Sequence, residues 1–578
     1  MDFLAYIRSQ GLIDARQAQV ISDEVGLKKT SAYSYLLSKE VIKGAGLNFT
    51  YDTLRPVLFG YGEVEGISYT EVVKTKGFVC NEAIYSAMGG VDDTLVQVIL
   101  PLSSSEGGVH IAVTTTPDDE VLLSNIARAY GSTPYQIGVC RKDLWTSLFA
   151  MYVQPLLVKR KALTLSQNNR DTGLQMSQAS DSEARRVCQD LINVGIERGA
   201  SDVHFIPCED RCDVHFRIDG RNHMYTDIPK DVLEKICNIL KTDGHIPNHG
   251  PNEAIDGKVR YSPSGHKVPG DEIDLRISIM PSKRGSDLNV RYLSSKMRTF
   301  AELGMSEDLI EVYKHLLDLP SGMVVQVGPT GSGKSTTMYT GLEYIRGSLR
   351  NIITIEDPVE ILMDGVTQID VSSEVNARFG FADALKACLR HDPDVVVVGE
   401  LRDKETANLA VRASNTGHLV LTSLHTNDAI GAFERLINMG VDSYSLGEVM
   451  VAVMGQRLVR RLCPHCKEEY ELDLDSETAR FYSLGKGPGT MKFYKPCGCV
   501  HCDNTGYKGR IAINEILVVD SLIRDYIQRH AVRLKFEELL HQRKFVSMYH
   551  DGLKKAIAGT TSLEEMRCYA ADRIAFKG

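Results

Sequence analysis

The sequence lacks a hydrophobic run long enough to cross a membrane, which takes roughly 20 apolar residues in succession. Its first residues, Met1–Leu4, show no basic segment followed by an apolar core, so no signal peptide is predicted. Lys and Arg (66) are outnumbered by Asp and Glu (75), giving a net charge of -9, and there is a single tryptophan. These absences disfavour membrane-spanning, secreted and nucleic-acid-binding proteins, because the last usually need basic surfaces or stacking aromatics. We expect a cytoplasmic protein with no nucleic-acid partner.

The cysteine content does not suggest a disulfide framework. The chain has 13 cysteines, an odd number, and four of them form two close pairs, Cys463 with Cys466 and Cys499 with Cys502. Two C-x-x-C pairs supply four thiolates, which is the ligand set of a structural zinc ion. The alternative is a redox-active C-x-x-C, which needs only one pair and a thioredoxin-like setting. Cys497 is an extra thiol that could replace Cys499 as a ligand.

What the chain does contain is the pattern G-x-x-x-x-G-K-S at Gly328–Ser335. The apolar run Met323–Val327 before it predicts a strand, and Thr336–Tyr339 after it can begin a helix. This arrangement lets backbone N–H groups surround a nucleotide's phosphates at a helix N-terminus. Lys334 would reach the β- and γ-phosphates, and the Ser335 hydroxyl would bind Mg²⁺. The predicted nucleotide-binding residues of the loop are Gly328, Pro329, Thr330, Gly331, Ser332, Gly333, Lys334, Ser335 and Thr336.

Two predicted strands of the same region end in acidic residues. A run of four valines precedes Glu400, and a strand over 351–355 is followed by Glu356, Asp357 and Glu360. Ligands of open α/β sheets bind at the carboxyl ends of the strands, so we expect these acids beside the phosphates. ATP hydrolysis needs both a Mg²⁺ site, for which Glu400 is the candidate, and a group that orients or deprotonates water. The alternative for the second cluster is a solvated acidic loop.

Two histidines and two arginines complete the candidates. His418 and His425 bracket the predicted strand Leu419–Leu424, and His425 could contact the γ-phosphate or connect the nucleotide to a neighbouring subunit. Arg276 and Arg291 occupy polar positions on two predicted neighbouring strands with alternating apolar residues. From the residues alone, these arginines are either solvated or ligand-binding.

Length and patterning predict a mixed α/β protein of about three or four domains. The polar composition around residues 166–182 favours a linker, because it offers few apolar side chains to bury. The predicted division is an N-terminal docking domain (1–163), a linker (164–182), a second α/β domain (183–298) and an α/β domain with the phosphate loop (301–578), the last holding the cysteine pairs at about 463–502.

Together these motifs resemble the type II secretion and type IV pilus assembly ATPases, a branch of the secretion-motor superfamily. The resemblance covers about residue 200 to the end of the chain. The matching segments are the Walker A loop (Gly328–Ser335), the Asp box TIEDPVE (Thr354–Glu360), the Walker B region (Leu389–Asp403), the His box (Thr416–Asn427) and a tetracysteine zinc element (Arg457–Cys466 with Gly498–Arg510).

The resemblance implies a PAS-like second domain and a RecA-like P-loop domain, with ATP, Mg²⁺ and Zn²⁺ as cofactors. ATP would lie between the two domains of each subunit in a hexameric ring. The residues implied to act in catalysis are Lys334, Glu360 as the base that activates water, Glu400 as the Walker B acid, Arg276, Arg291 and His425. Glu356 and His418 are implied to contact the nucleotide. Gly285-Ser286 departs from the usual Gly-Glu of the family, so one acidic contact is missing there.

The implied function is ATP hydrolysis that drives assembly of a type IV pilus or a type II secretion pseudopilus. The implied partners are further copies of the chain, an inner-membrane platform protein and the cytoplasmic domain of a membrane assembly protein, which would hold the motor peripherally at the membrane. Pilus retraction is an alternative within the superfamily, although retraction motors usually lack the cysteine element and the long N-terminal domain. A DNA-tracking motor and a non-hydrolysing nucleotide-sensing scaffold are alternatives from other classes.

Overall fold

Four β-sheets divide the described part of the chain into successive regions. The computed structural model describes residues 2–28, 32–37, 54, 56–59, 61, 63, 67, 69–71, 78–81, 83–85, 99–104, 109–171, 178–246, 253–263, 273–293, 297–371, 380–484, 488–530 and 533–569. Within these ranges, no helix combines the length and the apolar character needed to span a bilayer.

The N-terminal region pairs a small helical cluster with a sheet of five strands in the order β1-β5-β4-β3-β2. Residues of the two parts, such as Ile7 and Val113, are fully buried in separate apolar cores. The helices are α1 (Phe3–Ser9), α2 (Ala15–Lys28), α3 (Ala32–Leu37), α4 (Glu120–Tyr130), α5 (Lys142–Leu148) and, after a π-helical turn (Phe149–Val153), α6 (Gln154–Asp171). The strands are β1 (Tyr69–Glu71), β2 (Phe78–Cys80), β3 (Ile99–Ser104), β4 (His110–Thr114) and β5 (Gln136–Val139).

The second region is an antiparallel six-stranded sheet in the order β8-β7-β6-β11-β10-β9. Its strands alternate buried and accessible residues, so one face packs under helices and the other is polar. The elements are α7 (Gln178–Glu197), β6 (Asp202–Pro207), β7 (Arg211–Ile218), β8 (Arg221–Pro229), α8 (Lys230–Asp243), β9 (Ile255–Tyr261), β10 (Ile273–Ser282) and β11 (Gly285–Leu293).

The third region is a seven-stranded sheet in the order β14-β13-β15-β16-β12-β17-β20, parallel except for the β17–β20 pair. Val325 and Val327 of β12 face one core, while Val324 faces another, so the sheet is covered on both sides. Its strands are β12 (Gly322–Val327), β13 (Ile352–Glu356), β14 (Thr367–Asp370), β15 (Val395–Val398), β16 (Leu419–Leu424), β17 (Met450–Leu462) and β20 (Tyr507–Val518).

Helices surround this sheet, and a cysteine-bearing hairpin is inserted before its last strand. The helices are α9 (Glu307–Leu317), α10 (Lys334–Ile345), α11 (Phe381–Cys388), α12 (Lys404–Asn415), α13 (Ala429–Asn438), α14 (Ser443–Val449), α15 (Glu477–Phe481), α16 (Ser521–Gln528), α17 (Arg533–Gln542) and α18 (Met548–Ile557). The hairpin pairs β18 (Glu468–Asp473) with β19 (Thr490–Lys495), and two 3₁₀ turns lie at Val500–Cys502 and Leu563–Met566.

The mixed α/β class is confirmed, and one part of the linker prediction is corrected. Both described ends of the predicted linker are helical, because α6 continues to Asp171 and α7 begins at Gln178. The reason is burial: Leu165 joins the core under the six-stranded sheet, and Ser166 donates a 2.9 Å hydrogen bond to Asp231. Residues 172–177 lie outside the described ranges. The division into domains stays a prediction.

Candidate functional site

The candidate phosphate loop joins β12 to α10 at the carboxyl edge of the seven-stranded sheet. Gly328 and Gly333 have φ values of 153° and 87°, which side-chain-bearing residues rarely adopt. A Cβ at Gly328 would lie 2.4 Å from the carbonyl oxygen of Gln456, and one at Gly333 would lie 2.8 Å from its Nε2. The loop therefore needs glycine at both positions. Its backbone leads into the N-terminus of α10, where a helix favours anions.

Lys334 projects back into this loop. Its Nζ donates hydrogen bonds to the carbonyl oxygens of Gly328, at 2.6 Å, and Pro329, at 3.2 Å. Burial lowers the pKa of the ammonium group, and the negative charge of Glu400 opposes that shift. The hydrogen bonds go to neutral carbonyls, so the charge of Lys334 stays available for a phosphate group.

Glu400 lies at the end of β15 in a network of charged side chains. Its carboxylate accepts a 2.8 Å bond from Arg402 Nε and lies 3.2 Å from His425 Nε2. Arg402 also contacts Asp357, with 3.1 Å between Nη1 and Oδ2. The parallel strands β13, β15 and β16 thus bring Asp357, Glu400 and His425 together at one sheet edge.

Glu356 and Glu360 are connected through Tyr339 of α10. The Tyr339 hydroxyl donates to the Glu356 carboxylate and accepts the backbone N–H of Glu360 at 3.1 Å. The Glu360 carboxyl group is solvent-accessible but lies in a cleft. Desolvation there raises its pKa, the charge of Glu356 raises it further, and the charge of Arg291 opposes both effects. A carboxylate with a raised pKa beside the phosphate loop suits proton transfer.

Arg291 and Arg276 belong to a row of cations across the polar face of the six-stranded sheet. Arg276 of β10 pairs directly with Arg291 of β11 on one side and with Lys258 of β9 on the other. Like charges in directly opposite positions destabilise a sheet unless an anion offsets them. Asp202 is such an anion for Arg291, at 2.8 Å from Nε. Among the described residues, Arg276 has no ion pair or hydrogen-bonded side chain.

The two cysteine pairs meet in a single cluster. The Sγ atoms of Cys463, Cys466, Cys499 and Cys502 all lie within 4.8 Å of one another. Three of the separations, Cys463 to Cys499, Cys466 to Cys502 and Cys499 to Cys502, are 3.8 Å. That is about the edge of a tetrahedron with metal–sulfur bonds of roughly 2.3 Å, so the donor set fits zinc. Cys497 is outside the cluster, so the four thiols that meet include Cys499 and not Cys497.

Comparison with known proteins places this site in a family. The family model described as Type II/IV secretion system protein matches residues 177–568, which hold the phosphate loop, both acidic clusters, Arg276, Arg291 and the four cysteines. The chain belongs to this family.

Curated relatives of this family are named for assembly and secretion. The chain is 38% identical to the type IV pilus assembly ATPase PilB of Thermus thermophilus over 389 residues, which cover 67% of this chain and 43% of that protein. It is 36% identical to the type II secretion system protein E of Klebsiella pneumoniae over 482 residues, covering 81% and 94%. The chain thus spans less than half the length of the Thermus relative. The classification as an ATPase of this family is confirmed.

A solved ATPase structure shares the fold. The X-ray structure of the Legionella pneumophila ATPase DotB superposes with a TM-score of 0.50 at 20% identity, covering 66% of this chain and 95% of that chain. At this identity the likeness concerns the fold alone.

The two histidines of the family's His box lie at opposite ends of β16. His425 is at the edge that carries the phosphate loop, whereas His418 precedes the strand and its carbonyl accepts the N–H of Gly322 at the start of β12. Six residues of strand separate the two edges, a distance of about 20 Å. His418 is therefore at the edge of the sheet opposite to the phosphate loop of its own chain, and its contact with the nucleotide stays a prediction. His418 Nδ1 lies 2.8 Å from the carbonyl of Ala413, at the end of α12.

Gln456 holds the candidate phosphate loop in place, and it was not identified from the sequence. It is buried in β17, where Nε2 donates to the carbonyl of Ser332 at 2.9 Å and Oε1 accepts from Thr337 at 2.7 Å. These two bonds fix the loop from the neighbouring strand. The available signal was a buried amide in an otherwise apolar stretch, Met450–Gly455, that precedes it.

Proposed function

We propose that the chain is a hexameric motor that uses ATP hydrolysis to drive assembly of a type IV pilus or a type II secretion pseudopilus. The observation that carries this proposal is the meeting of two charge sets at one cleft. The phosphate loop and Glu360 come from the seven-stranded sheet, and Arg291 comes from the polar face of the six-stranded sheet, close enough to influence the pKa of Glu360.

In the proposed reaction, Glu360 accepts a proton from the attacking water. The water oxygen forms a bond to the γ-phosphorus while the bond to the β-bridging oxygen breaks, which releases phosphate and ADP. Lys334 stabilises the negative charge that moves toward the β-phosphate. Ser335 and Glu400 would hold Mg²⁺, which would neutralise part of the negative charge of the phosphates. Glu356 holds Tyr339, which in turn positions the Glu360 backbone.

Arg276 and Arg291 would grip the phosphates from the second domain. Their planar guanidinium groups bind phosphate oxygens bidentately and stay charged at any physiological pH. ATP would then offset the repulsion within the cation row and draw the two domains together, and hydrolysis would release them. The domains concerned are a PAS-like domain over 183–298 and a RecA-like domain over 301–578.

The work of the motor is inferred from the names of its relatives. Rotation of the domains would be transmitted to an inner-membrane platform protein and to the cytoplasmic domain of a membrane assembly protein. Residues 1–163 would be the domain that binds these partners. The motor would be cytoplasmic and bound to the inner membrane only through these partners. In the ring, His425, which lies beside Glu400, would contact the next subunit in a way that depends on the bound nucleotide. His418 lies at the opposite edge of the sheet and would contact only the nucleotide of a neighbouring subunit.

The tetracysteine cluster would hold one structural Zn²⁺. Four thiolates close the coordination shell, so no position is left for water or substrate. The two-stranded hairpin β18–β19 is too small to carry a core of its own, and metal binding would stabilise it by coupling to local folding.

Purified full-length chain tests this function directly. We expect Mg²⁺-dependent phosphate release from ATP, a mass in solution of six subunits with nucleotide, and a rate that added single- or double-stranded DNA leaves unchanged. Nucleotide binding without phosphate release would favour the scaffold alternative. Stimulation by DNA would favour the DNA-tracking alternative and contradict the proposal.

A further inference from the structure

One side chain of the tetracysteine element is buried in a different region of the protein. Val500, between Cys499 and Cys502, is 7% exposed and belongs to the apolar core of the five-stranded sheet. All other members of that core lie between residues 67 and 157. The Val500–Cys502 turn therefore completes the core of the N-terminal region, which lies outside the segment that the family model matches.

Arg198 joins three regions at the same place. Its Nη2 donates a 2.6 Å hydrogen bond to the carbonyl of Ala150 in the N-terminal region. Its Nη1 lies 3.7 Å from Asp503 of the tetracysteine element, and its guanidinium lies 4.9 Å from the centre of the Tyr225 ring in the six-stranded sheet region. The Arg198 side chain is 17% exposed and Asp503 is 40% exposed, so the hydrogen bond to Ala150 is better shielded from water than the ion pair.

A second contact ties the strand that leaves the cysteine element to the six-stranded sheet. The backbone N–H of Gly509 donates to the carboxylate of Asp219 at 2.8 Å. Asp219 sits in the β7–β8 turn with a φ of 51°. The contact holds β20, which follows the last cysteine, against the second region.

The shape of the docking turn depends on the cysteines themselves. Cys502 Sγ accepts the N–H groups of Cys499 and Gly506, each at 3.2 Å. Val500 lies in the sequence between Cys499 and Cys502, two of the four clustered thiols. The hydrogen bonds of these cysteines, or a metal bound to them, therefore also determine the orientation of the Val500 side chain. Metal binding to such a cluster is coupled to the local fold.

The docked N-terminal region forms part of the wall of the nucleotide cleft. A cleft of about 1080 Å³ is lined by Ser147 and Met151 of that region, by His501 of the cysteine turn, and by Gly333 and Thr336 at the phosphate loop. Movement of the N-terminal region away from the turn would remove this part of the cleft wall.

We propose that the tetracysteine turn is a latch that docks the N-terminal region over the nucleotide cleft, and that metal occupancy sets whether the latch holds. The partner of this surface is the chain's own N-terminal region, which contributes an apolar socket for Val500 and a carbonyl for Arg198. The metal part rests on the proposed zinc site, whereas the docking part rests only on the contacts of Val500 and Arg198.

Amide hydrogen exchange of the full-length chain tests the docking part. Val500→Asp places a carboxylate in an apolar core, and we expect exchange in Lys142–Leu148 to become at least about tenfold faster. The matched control is Val121→Asp in the same N-terminal region, where the valine is 74% exposed, and it should leave that exchange unchanged. Unchanged protection of Lys142–Leu148 in Val500→Asp would overturn the latch.

A second variant separates docking from metal loss. Arg198→Met keeps an unbranched apolar stem but removes the guanidinium group, and it lies in another region from the cysteines. It should also speed exchange in Lys142–Leu148 while elemental analysis finds zinc retained. If it leaves that exchange unchanged, Arg198 is not part of the latch.

Removal of zinc from the wild-type protein with a chelator should reproduce the effect of Val500→Asp. Unchanged exchange after the zinc is removed would overturn the metal part. Purified protein without zinc would refute the zinc site itself, and Val500→Asp would still decide the docking.

Discussion

The two large sheets present their charged groups in different ways. The seven-stranded, mostly parallel sheet does so at its edge, where Glu356, Glu400 and His425 end or follow neighbouring strands. The six-stranded antiparallel sheet does so on its face, where Arg276 and Arg291 stand side by side in the middle of their strands. The residues at the edge of the seven-stranded sheet follow strands that are buried on both faces. The arginines on the face of the six-stranded sheet can reach the phosphates only if the two regions are positioned against each other.

This difference assigns separate tasks to the two sets. Groups at the edge keep a fixed geometry relative to the phosphate loop, because β12, β13, β15 and β16 share one hydrogen-bonded sheet. They suit chemistry. Groups on the face of another region change their distance from the loop whenever the two regions move. They suit coupling of nucleotide state to motion. The predictions below test this division.

Removal of Lys334 should give the largest loss. Lys334→Ala removes the only ammonium group placed within the loop, and we expect turnover to fall to background in a phosphate-release assay, because charge on the β- and γ-phosphates goes uncompensated. Lys386→Ala removes an exposed lysine of the same region that pairs with Glu405, and it should leave turnover unchanged. Turnover of Lys334→Ala within a few-fold of wild type would contradict the loop assignment.

The edge carboxylates should come next. Glu360→Gln and Glu400→Gln should each lower kcat by about 10²- to 10⁴-fold with little change in ATP binding, because the charge acts more in the transition state than in the ground state. Glu405→Gln, an exposed carboxylate on α12, is the control. Normal hydrolysis by either variant would contradict the catalytic role proposed for that residue.

The cysteine element offers a matched pair of substitutions. Cys463→Ser removes a buried member of the cluster and should lose the metal and lower the unfolding temperature of the C-terminal region, because metal binding and folding are coupled. Cys497→Ser changes a cysteine two positions from Cys499 but outside the cluster, and it should keep about one zinc per chain. Elemental analysis and thermal unfolding measure both. Equal zinc content in the two variants would contradict the ligand set.

The smallest effect concerns pH. The pKa of Glu360 is raised by desolvation and by Glu356, so the base is lost as the pH falls through that raised value. Glu356→Gln removes a neighbouring negative charge and should lower the pKa of Glu360, which moves the acid limb of the kcat/KM profile to lower pH. Glu343→Gln, paired with Arg346 on the surface of α10, is the control. An acid limb that stays in place would mean that another group titrates.

The sequence predicts residues at the edge of the seven-stranded sheet more easily than residues whose position depends on strand register. The position of an acid at a sheet edge could be predicted, because an acid that follows an apolar run, such as Glu400 after Val395–Val398 and Gly399, lies at a strand end whatever the register. The four cysteines were predictable from spacing. The motif shows that His418 and His425 flank a strand, but it does not show that the whole length of that strand separates them.

Other features depended on register and tertiary contact. The direct pairing of Arg276 with Arg291 and the place of Asp202 beside them depend on which residues of β6, β10 and β11 lie opposite one another. The helices in the predicted linker form because Leu165 finds an apolar core that local composition does not reveal. Gln456 was missed because a single polar residue in a strand gives no spacing pattern.

The direct test of the account is the distance between the two sheets in ATP and in ADP. A cross-domain distance probe, one label on the six-stranded sheet and one near the phosphate loop, should report a closer approach with ATP in the wild type. In the variant Arg276→Ala/Arg291→Ala the distance should not respond to nucleotide, and turnover should fall by ~10³-fold. Arg260→Ala, on the neighbouring edge strand β9, should respond as the wild type does. A nucleotide response retained in the double variant would contradict the account, since the arginines would then be ordinary solvated residues of the sheet.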